Sequence, residues 1–202
     1  VMKDAFRRLA LLIAAVMLLA TLPGVARAAE GTGDANSANR QWITEVGFIS
    51  GYGRGSIDEG SYETLLLIAH LGADINRFIP ALRHHRGTLS FFLEPQFNPV
   101  LTPSAVEFGL GIGLQYAYPL TEKISPYFLL ATGLHYITVD TATQADGFNF
   151  SDLAGIGFYL ALSRGVALNC GYRYRHVSNA DLKQPNSGIN SHIGVLGLSF
   201  FF

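Results

Sequence analysis

A histidine and a serine two residues apart, His176 and Ser178, have the clearest capacity for chemistry in this sequence. They end a run of alternating apolar and polar residues, Val166–His176, which predicts a β-strand. Residues two apart on a strand share a face, with Cα atoms roughly 6–7 Å apart. A neutral imidazole at that distance can take the hydroxyl proton, and the serine oxygen can then attack an ester carbonyl. On spacing alone, such a pair near a loop is more typical of simple hydrogen bonding.

The strand pattern that would position this pair is clearest in Ser104–Tyr118. Alternate side chains of a strand point to opposite sides, so one face of this segment is wholly apolar and the other is rich in glycine. A soluble sandwich strand would rarely expose a glycine-rich face that is almost free of charge. A narrow membrane barrel explains both faces, with lipid outside, small and polar groups inside, and aromatic residues at the rim.

Seven further segments are predicted to be strands, and the total of eight is even, as single-chain bacterial barrels require. Six of the seven alternate, whereas Tyr62–Leu71 is apolar on both faces and ambiguous. In Ser191–Phe202 the final phenylalanine shares a face with other apolar residues, which resembles the C-terminal signature of outer-membrane barrels. The remaining five segments are Gln41–Tyr52, Thr88–Phe97, Pro126–Thr138, Phe150–Leu162 and Val166–His176.

The composition favours a barrel or a very apolar sandwich, and together with the strand pattern it predicts an all-β, eight-stranded antiparallel transmembrane β-barrel. Charged residues make up 14% of the chain, against about a quarter in soluble domains. Beyond the N-terminal segment, no stretch has the roughly 20 consecutive apolar residues of a membrane helix. A net charge of −1 without a basic run excludes nucleic acid as a partner. Cys170 is the single cysteine, which excludes an internal disulfide and a cysteine-based zinc site.

The N-terminal residues 1–28 have the pattern of a cleaved signal peptide. A charged start is followed by the apolar run Leu9–Leu22, and Ala26-Arg27-Ala28 matches a small-residue cleavage site. An uncleaved membrane anchor is the alternative, but the apolar run is short for a membrane span. Residues 29–39 then form a flexible leader without periodicity, and residues 40–202 form the barrel, which we expect in the cell outer membrane.

The alternation also predicts which residues face lipid and which face the lumen. His176 and Ser178 fall on the lipid-facing side of their strand, and counting back from Phe202 places Asn190 and His192 on the same side of the last strand. The charged residues of the opposite phase are expected to pair inside the lumen, chiefly to keep a small barrel filled and hydrogen-bonded. They are Glu45, Glu94, Glu107, Arg173 and Arg175.

The connections between strands alternate in length as expected for such a barrel. Thr141–Asn149 and Val177–Asn190 are long and polar, and they lie on the outer side if the N-terminus is periplasmic. Asp74–His85 would then be a long periplasmic connection, which fits the rule less well.

The segment that carries the His–Ser pair resembles a known family. His176-Val-Ser178-Asn179-Ala180, with Lys183-Gln184-Pro185-Asn186 and Gly188-Ile189, is similar to the lipid A 3-O-deacylase (PagL-type) family, also labelled acyloxyacyl hydrolase-like. The similarity is dense from Tyr174 onward, and Phe148-Asn149-Phe150 is also similar. The resemblance implies an esterase that removes an acyl chain from lipid A in the outer leaflet, without a metal or other cofactor.

The same resemblance implies a role for each matching position. His176 would be the general base and Ser178 the nucleophile. Asn179 would help to form the oxyanion hole, whose donors stabilise the charge that develops on the carbonyl oxygen. Phe150 and Asn186 would contact the substrate.

One position departs from the family, because the third member of its triad is a glutamate and this chain has Asn190 there. An amide oxygen can still orient the histidine, but replacing the triad acid by its amide in a serine protease lowers turnover about 10⁴-fold. Three interpretations stay open. Asn190 serves with reduced activity, another acid such as Asp152 or Asp181 substitutes, or the chain is a related barrel with lost or changed chemistry. Asp152 shares the lipid-facing phase and is the better candidate.

The leading hypothesis is therefore a lipid A deacylase-like esterase of the outer membrane. It would hydrolyse an ester-linked 3-hydroxyacyl chain through Ser178 and His176. Its partners would be lipid A or lipopolysaccharide and the surrounding membrane lipids, and assembly as a homodimer is left open. A non-catalytic small barrel with a role in adhesion or envelope structure, and a phospholipid esterase that uses the same residues, are the alternatives.

Overall fold

Eight antiparallel strands close into a barrel in the computed structural model, which describes residues 43–202. Each strand pairs with the next along the chain, and the last pairs with the first. The eight-stranded barrel predicted from the sequence is confirmed. The strands are β1 (Glu45–Ile57), β2 (Gly60–Asp74), β3 (Thr88–Thr102), β4 (Ala105–Ala117), β5 (Ile124–Ile137), β6 (Gly147–Ser163), β7 (Val166–Ser178) and β8 (Ile189–Phe201).

The predicted signal peptide, the predicted leader and the start of the first predicted strand lie outside the described residues. No helix among residues 43–202 is long and apolar enough to cross a membrane.

The outer wall of the barrel is apolar. Along β4 and β5 the outward side chains are almost all leucine, isoleucine, phenylalanine or tyrosine, and several are about half exposed. Soluble monomers rarely expose contiguous apolar patches larger than a few hundred Å². This wall therefore faces hydrocarbon, and the barrel spans a membrane.

The lumen holds buried ion pairs that cross the barrel. Arg173 binds Glu94 through two hydrogen bonds of 2.7 and 2.9 Å, and Arg175 binds Glu107 through two of 2.7 and 3.0 Å. His70 Nδ1 lies 2.9 Å from the Glu94 carboxylate. The predicted luminal pairing is confirmed for both arginines, which join β7 to Glu94 on β3 and to Glu107 on β4 across the barrel, whereas Glu45 lies 3.6 Å from His70.

Tyrosines fill much of the remaining lumen and require small neighbours. Tyr127 donates a hydrogen bond of 2.8 Å to Asn169 across the interior. A Cβ atom at Gly157 would lie 2.4 Å from the Tyr127 ring, and one at Gly171 would lie 2.5 Å from its hydroxyl. The Tyr127 side chain therefore occupies space that larger residues at these inner-face positions would fill.

The structure resolves the ambiguous second strand. In β2 the even-numbered residues Tyr62, Leu66 and His70 are buried, whereas Leu65 and Leu67 face lipid. The luminal face mixes the polar Thr64 and His70 with Leu66 and Ile68, which lie in a luminal apolar cluster. Neither phase of the sequence is therefore clearly polar in this strand.

Several strand ends differ from the prediction. β1 runs on to Ile57 rather than ending at Tyr52, and β6 begins at Gly147 rather than at Phe150. The long connection after β2 lies at the barrel end opposite the candidate site, and it contains two short 3-10 turns. Asn76 fixes this connection, because its side chain donates to Gly87 O (2.7 Å) and accepts from Leu89 N (2.9 Å).

Glu94 is the only carboxylate that binds Arg173 among residues 43–202, so removing its charge should cause a large loss of stability. Glu94→Gln leaves a buried guanidinium without its anion, which should cost about 3–5 kcal/mol. The measurement is the urea midpoint of unfolding in detergent micelles. Glu122→Gln, in the exposed β4–β5 turn, is the matched control, and adding Arg173→Met to Glu94→Gln should recover part of the loss. Equal midpoints for the Glu94 and Glu122 variants would contradict this role.

Candidate active site

His176 is held by a hydrogen bond on the lipid-facing wall, near the end of β7. Its Nδ1 atom lies 2.8 Å from Asn190 Oδ1 on β8. An amide oxygen only accepts hydrogen bonds, so Nδ1 donates in this contact, and in the neutral ring Nε2 then carries the lone pair. The imidazole is thus oriented as a base.

His176 sits in a row of polar side chains that crosses three strands. It lies directly opposite Asn190 of β8 on one side and Asp152 of β6 on the other. Asp152 in turn accepts a hydrogen bond of 2.9 Å from the Thr132 hydroxyl on β5. Directly opposed residues of antiparallel strands have Cα atoms about 4.5–5.5 Å apart. A carboxylate and an amide therefore flank the imidazole on the outer wall.

Ser178 is the last residue of β7 and points to the same side as His176. It lies opposite Phe150 and is half-buried. Within residues 43–202 no hydrogen bond joins Ser178 to the His176 ring, and catalytic hydrogen bonds are often long before substrate binds. Phe150 packs edge-on against Phe148, with ring centroids 5.2 Å apart. The serine hydroxyl therefore borders an aromatic, lipid-facing surface suited to an acyl chain.

Asn179 anchors the loop that follows the serine. Its side chain is buried, and its backbone N–H donates 2.8 Å to Asn186 Oδ1 while its Nδ2 donates 2.6 Å to Lys183 O. Asn186 Nδ2 donates in turn to Asp181 (3.1 Å). Ala180 and Asp181 both adopt left-handed backbone angles, with φ of 53° and 63°. Predicted site residues Asn179 and Asn186 are thus joined to each other, and the alternative acid Asp181 lies in the same loop network.

A second outer loop, residues 138–146, is tied to the first by a buried glutamine that the sequence analysis did not identify. Gln144 Oε1 accepts from Gly188 N (3.0 Å), and Gln144 Nε2 donates to Asn149 Oδ1 (2.8 Å). Backbone bonds from Ala145 N to Pro185 O (2.8 Å) and from Ser187 N to Thr143 O (2.7 Å) complete the contact. A glutamine inside a polar loop carries no sequence signal of such a role.

Gly188 forms a close approach to the candidate base. Its φ is +78°, and a Cβ atom there would lie 2.4 Å from His176 Cε1. Only glycine combines this backbone angle with contact against the imidazole. The Gly188 backbone therefore limits the position of the His176 ring on the side of the loop.

The fold and the outer wall together define an outer-membrane β-barrel, and its polar row faces the membrane interface rather than the lumen. Among residues 43–202, no group of three or more His, Cys, Asp or Glu side chains is arranged to hold a metal ion. A family model described as lipid A 3-O-deacylase (PagL) matches residues 67–199, which include every predicted site residue. The match covers more than half of the chain, and the protein belongs to this family.

Solved structures share the fold. Neisserial surface protein A aligns with a TM-score of 0.60 at 18% identity, covering 78% of this chain and 96% of that protein. The outer membrane enzyme PagL aligns with a TM-score of 0.55 at 20% identity, covering 76% of this chain and 99% of that enzyme. At these identities the likeness concerns the barrel alone. Comparison with curated protein sequences gives no match.

Gly188→Ala should displace the His176 ring and break its hydrogen bond to Asn190, because the new methyl group would overlap the imidazole. The readout is the NMR signal of the His176 ring nitrogens, which should lose the signature of a protonated, hydrogen-bonded Nδ1. Gly147→Ala is the matched control, since Gly147 also has a positive φ (98°) but no atom within 4 Å of the added Cβ. An unchanged His176 signal in the Gly188 variant would refute the proposed steric limit.

Proposed function

We propose that this protein is an outer-membrane esterase that removes an ester-linked 3-hydroxyacyl chain from lipid A, with Ser178 as nucleophile and His176 as base. Membership of the lipid A 3-O-deacylase family supports the reaction class. The observation that carries the proposal is the hydrogen bond of 2.8 Å from His176 to Asn190, on the face that Ser178 shares. Lipid A or lipopolysaccharide is the proposed partner.

The reaction would run in two steps. His176 Nε2 takes the Ser178 proton as the serine oxygen bonds to the acyl carbon, and the same nitrogen returns that proton to the departing sugar oxygen. A water molecule then attacks the acyl-serine as His176 takes its proton, the bond between the acyl carbon and the Ser178 oxygen breaks, that proton returns to the serine oxygen, and the free 3-hydroxy fatty acid leaves. Asn179, the residue after Ser178, would help to stabilise the oxyanion with the amide hydrogen that it does not give to Lys183 O, and Asn186 would contact the substrate.

The location of the site suits this substrate. An ester at the base of an acyl chain lies at the boundary between hydrocarbon and headgroup. Ser178 stands where β7 ends, beside the aromatic side chains of Phe148 and Phe150. The acyl chain would lie along the apolar wall, so that the ester carbonyl meets the hydroxyl without leaving the membrane interface.

The triad acid is the point on which this chain differs from its family, and we assign the missing charge to Asp152. Asn190 orients the imidazole by accepting from Nδ1, but an amide does not offset the positive charge that forms on His176. Asp152 lies directly opposite His176 on the other side. The two side chains make no ion pair within residues 43–202, so the carboxylate would act through space, and a unit charge at about 5.5 Å is worth about 3 kcal/mol at an effective dielectric constant near 20. Orientation and charge compensation would thus come from two different neighbours.

Ser178→Ala should abolish deacylation while the barrel still folds, because the nucleophile is lost and the half-buried position tolerates a methyl group. The assay is mass spectrometry of lipid A from a host without this activity, after expression of each variant. Ser104→Ala, in the exposed β3–β4 turn, is the matched control and should retain activity. Identical lipid A from cells with the wild type and with Ser178→Ala, when both proteins are inserted in the outer membrane, would contradict the proposal. In that case a non-catalytic barrel or, if phospholipid is cleaved instead, a phospholipid esterase would be favoured.

Asp152→Asn should lower kcat about 100-fold with little change in KM, because about 3 kcal/mol of charge compensation is lost at the transition state. Asn190→Glu in the same background should restore much of kcat, since it returns a carboxylate to the imidazole from the other side. Asp58→Asn, in the exposed β1–β2 turn, is the control. A full kcat in Asp152→Asn would mean that this carboxylate plays no part.

A further inference from the structure

A groove on the outer wall adjoins the candidate site and has no role in the chemistry described above. It has a volume of about 440 Å³ and is lined by Arg54, Gly55 and Ser56 of β1 with Asn190 and His192 of β8. Asn190 therefore belongs both to this groove and to the polar row that contains His176. The groove begins where the row ends.

Strand register fixes the position of the groove relative to the serine. Arg54 lies directly opposite His192, which in turn lies opposite Tyr174 of β7. Ser178 is thus four residues along the strand and two strands across from Arg54. These steps correspond to about 13 Å and about 10 Å, or about 16 Å between the two Cα atoms.

Arg54 presents an exposed cation to the groove. Its side chain is 69% exposed, and its Nε atom lies 3.8 Å from Glu63 at the limit of an ion pair. Glu63 also accepts a hydrogen bond of 3.2 Å from the Ser61 hydroxyl. Within residues 43–202, the two Nη atoms of Arg54 make no hydrogen bond or ion pair, so they remain available to bind an anion.

The groove has three further polar side chains, and one of them, His192, is held in place by its neighbours. Tyr172 fixes His192 by a hydrogen bond to its Nδ1 atom, and Tyr174 packs edge-on against the same ring at 5.3 Å. Ser56 adds a hydroxyl and Asn190 an amide. An arginine fork with hydroxyl and imidazole donors around it matches the oxygens of a phosphate group.

The depth of Arg54 in the membrane also bears on its role, because an exposed arginine on the lipid-facing side of a barrel is costly. Such a residue costs about 2–4 kcal/mol at the midplane of a membrane barrel and about 0–1 near the interface. Arg54 lies near the outer end of β1, three residues before the strand ends at Ile57. This places its charge near the headgroup layer, where phosphate is the common anion.

We propose that the groove lined by Arg54, Ser56 and His192 binds a phosphate group of the lipid A headgroup while the ester lies at Ser178. This inference rests on the proposed function and names the part of the substrate that the groove recognises. The span between Arg54 and Ser178 fits a phosphorylated disaccharide. In a glycerophospholipid the phosphate is only a few bonds from its esters, which fits this span less well.

The test measures binding of purified lipid A to the Ser178→Ala protein in detergent micelles, where no turnover occurs. Adding Arg54→Ala should raise Kd about tenfold for lipid A that carries its phosphates, and should leave Kd unchanged for lipid A from which they have been removed. Arg164→Ala is the charge-matched control at the opposite end of the barrel, in the β6–β7 turn, and should change neither value. Inorganic phosphate at millimolar concentration should not displace the lipid, because a free anion lacks the disaccharide contacts.

Equal effects of Arg54→Ala on both lipids, or no effect on either, would overturn the proposal, as would displacement by inorganic phosphate. With Ser178 restored, Arg54→Ala should raise KM for phosphorylated lipid A and leave kcat nearly unchanged. Binding that depends on Arg54 without any hydrolysis by the wild type would support the groove and refute the esterase. Hydrolysis without a phosphate-dependent effect of Arg54 would refute the groove alone.

Discussion

The luminal ion pairs of β7 are the constraint on which the outer site depends. Arg173 and Arg175 are buried, and Glu94 and Glu107 bind them from the opposite side of the barrel. Because side chains alternate along a strand, fixing these two arginines inside leaves His176 and Ser178 outside. A register shift of one residue would exchange the two faces. Charges placed inside the barrel therefore determine which groups reach the membrane.

Alternation in the sequence was sufficient to predict the barrel and the lipid-facing side of β7 and β8, whereas the meeting of His176 with Asn190 was implied by the resemblance of this segment to a known family. The luminal pairs followed from the same count. Period-two patterning decides the face of a side chain, so these features required no knowledge of the loops. The pattern did not show which face of β2 is luminal, because Leu66 and its luminal neighbours are as apolar as the outer wall.

The rest of the site depends on contacts that join segments far apart in sequence. Gln144 reaches the loop after β7 across 44 residues to Gly188, and Arg54 meets His192 only because β8 closes onto β1. Neither position has a local pattern that marks it. The Asp152–His176 pairing needed the register between β6 and β7, which the phase of a single strand does not specify.

The interlocked outer loops have a consequence for transplanting the site to another eight-stranded barrel. Residues 138–146 and 179–188 satisfy one another's backbone and amide groups, and the second loop also bears on the His176 ring through Gly188. Moving either loop alone would leave buried donors and acceptors without partners, and each such group would cost about 1–3 kcal/mol. The two loops form one exchangeable module, and a chimera that respects its boundaries must carry both together with the ends of the strands that they join.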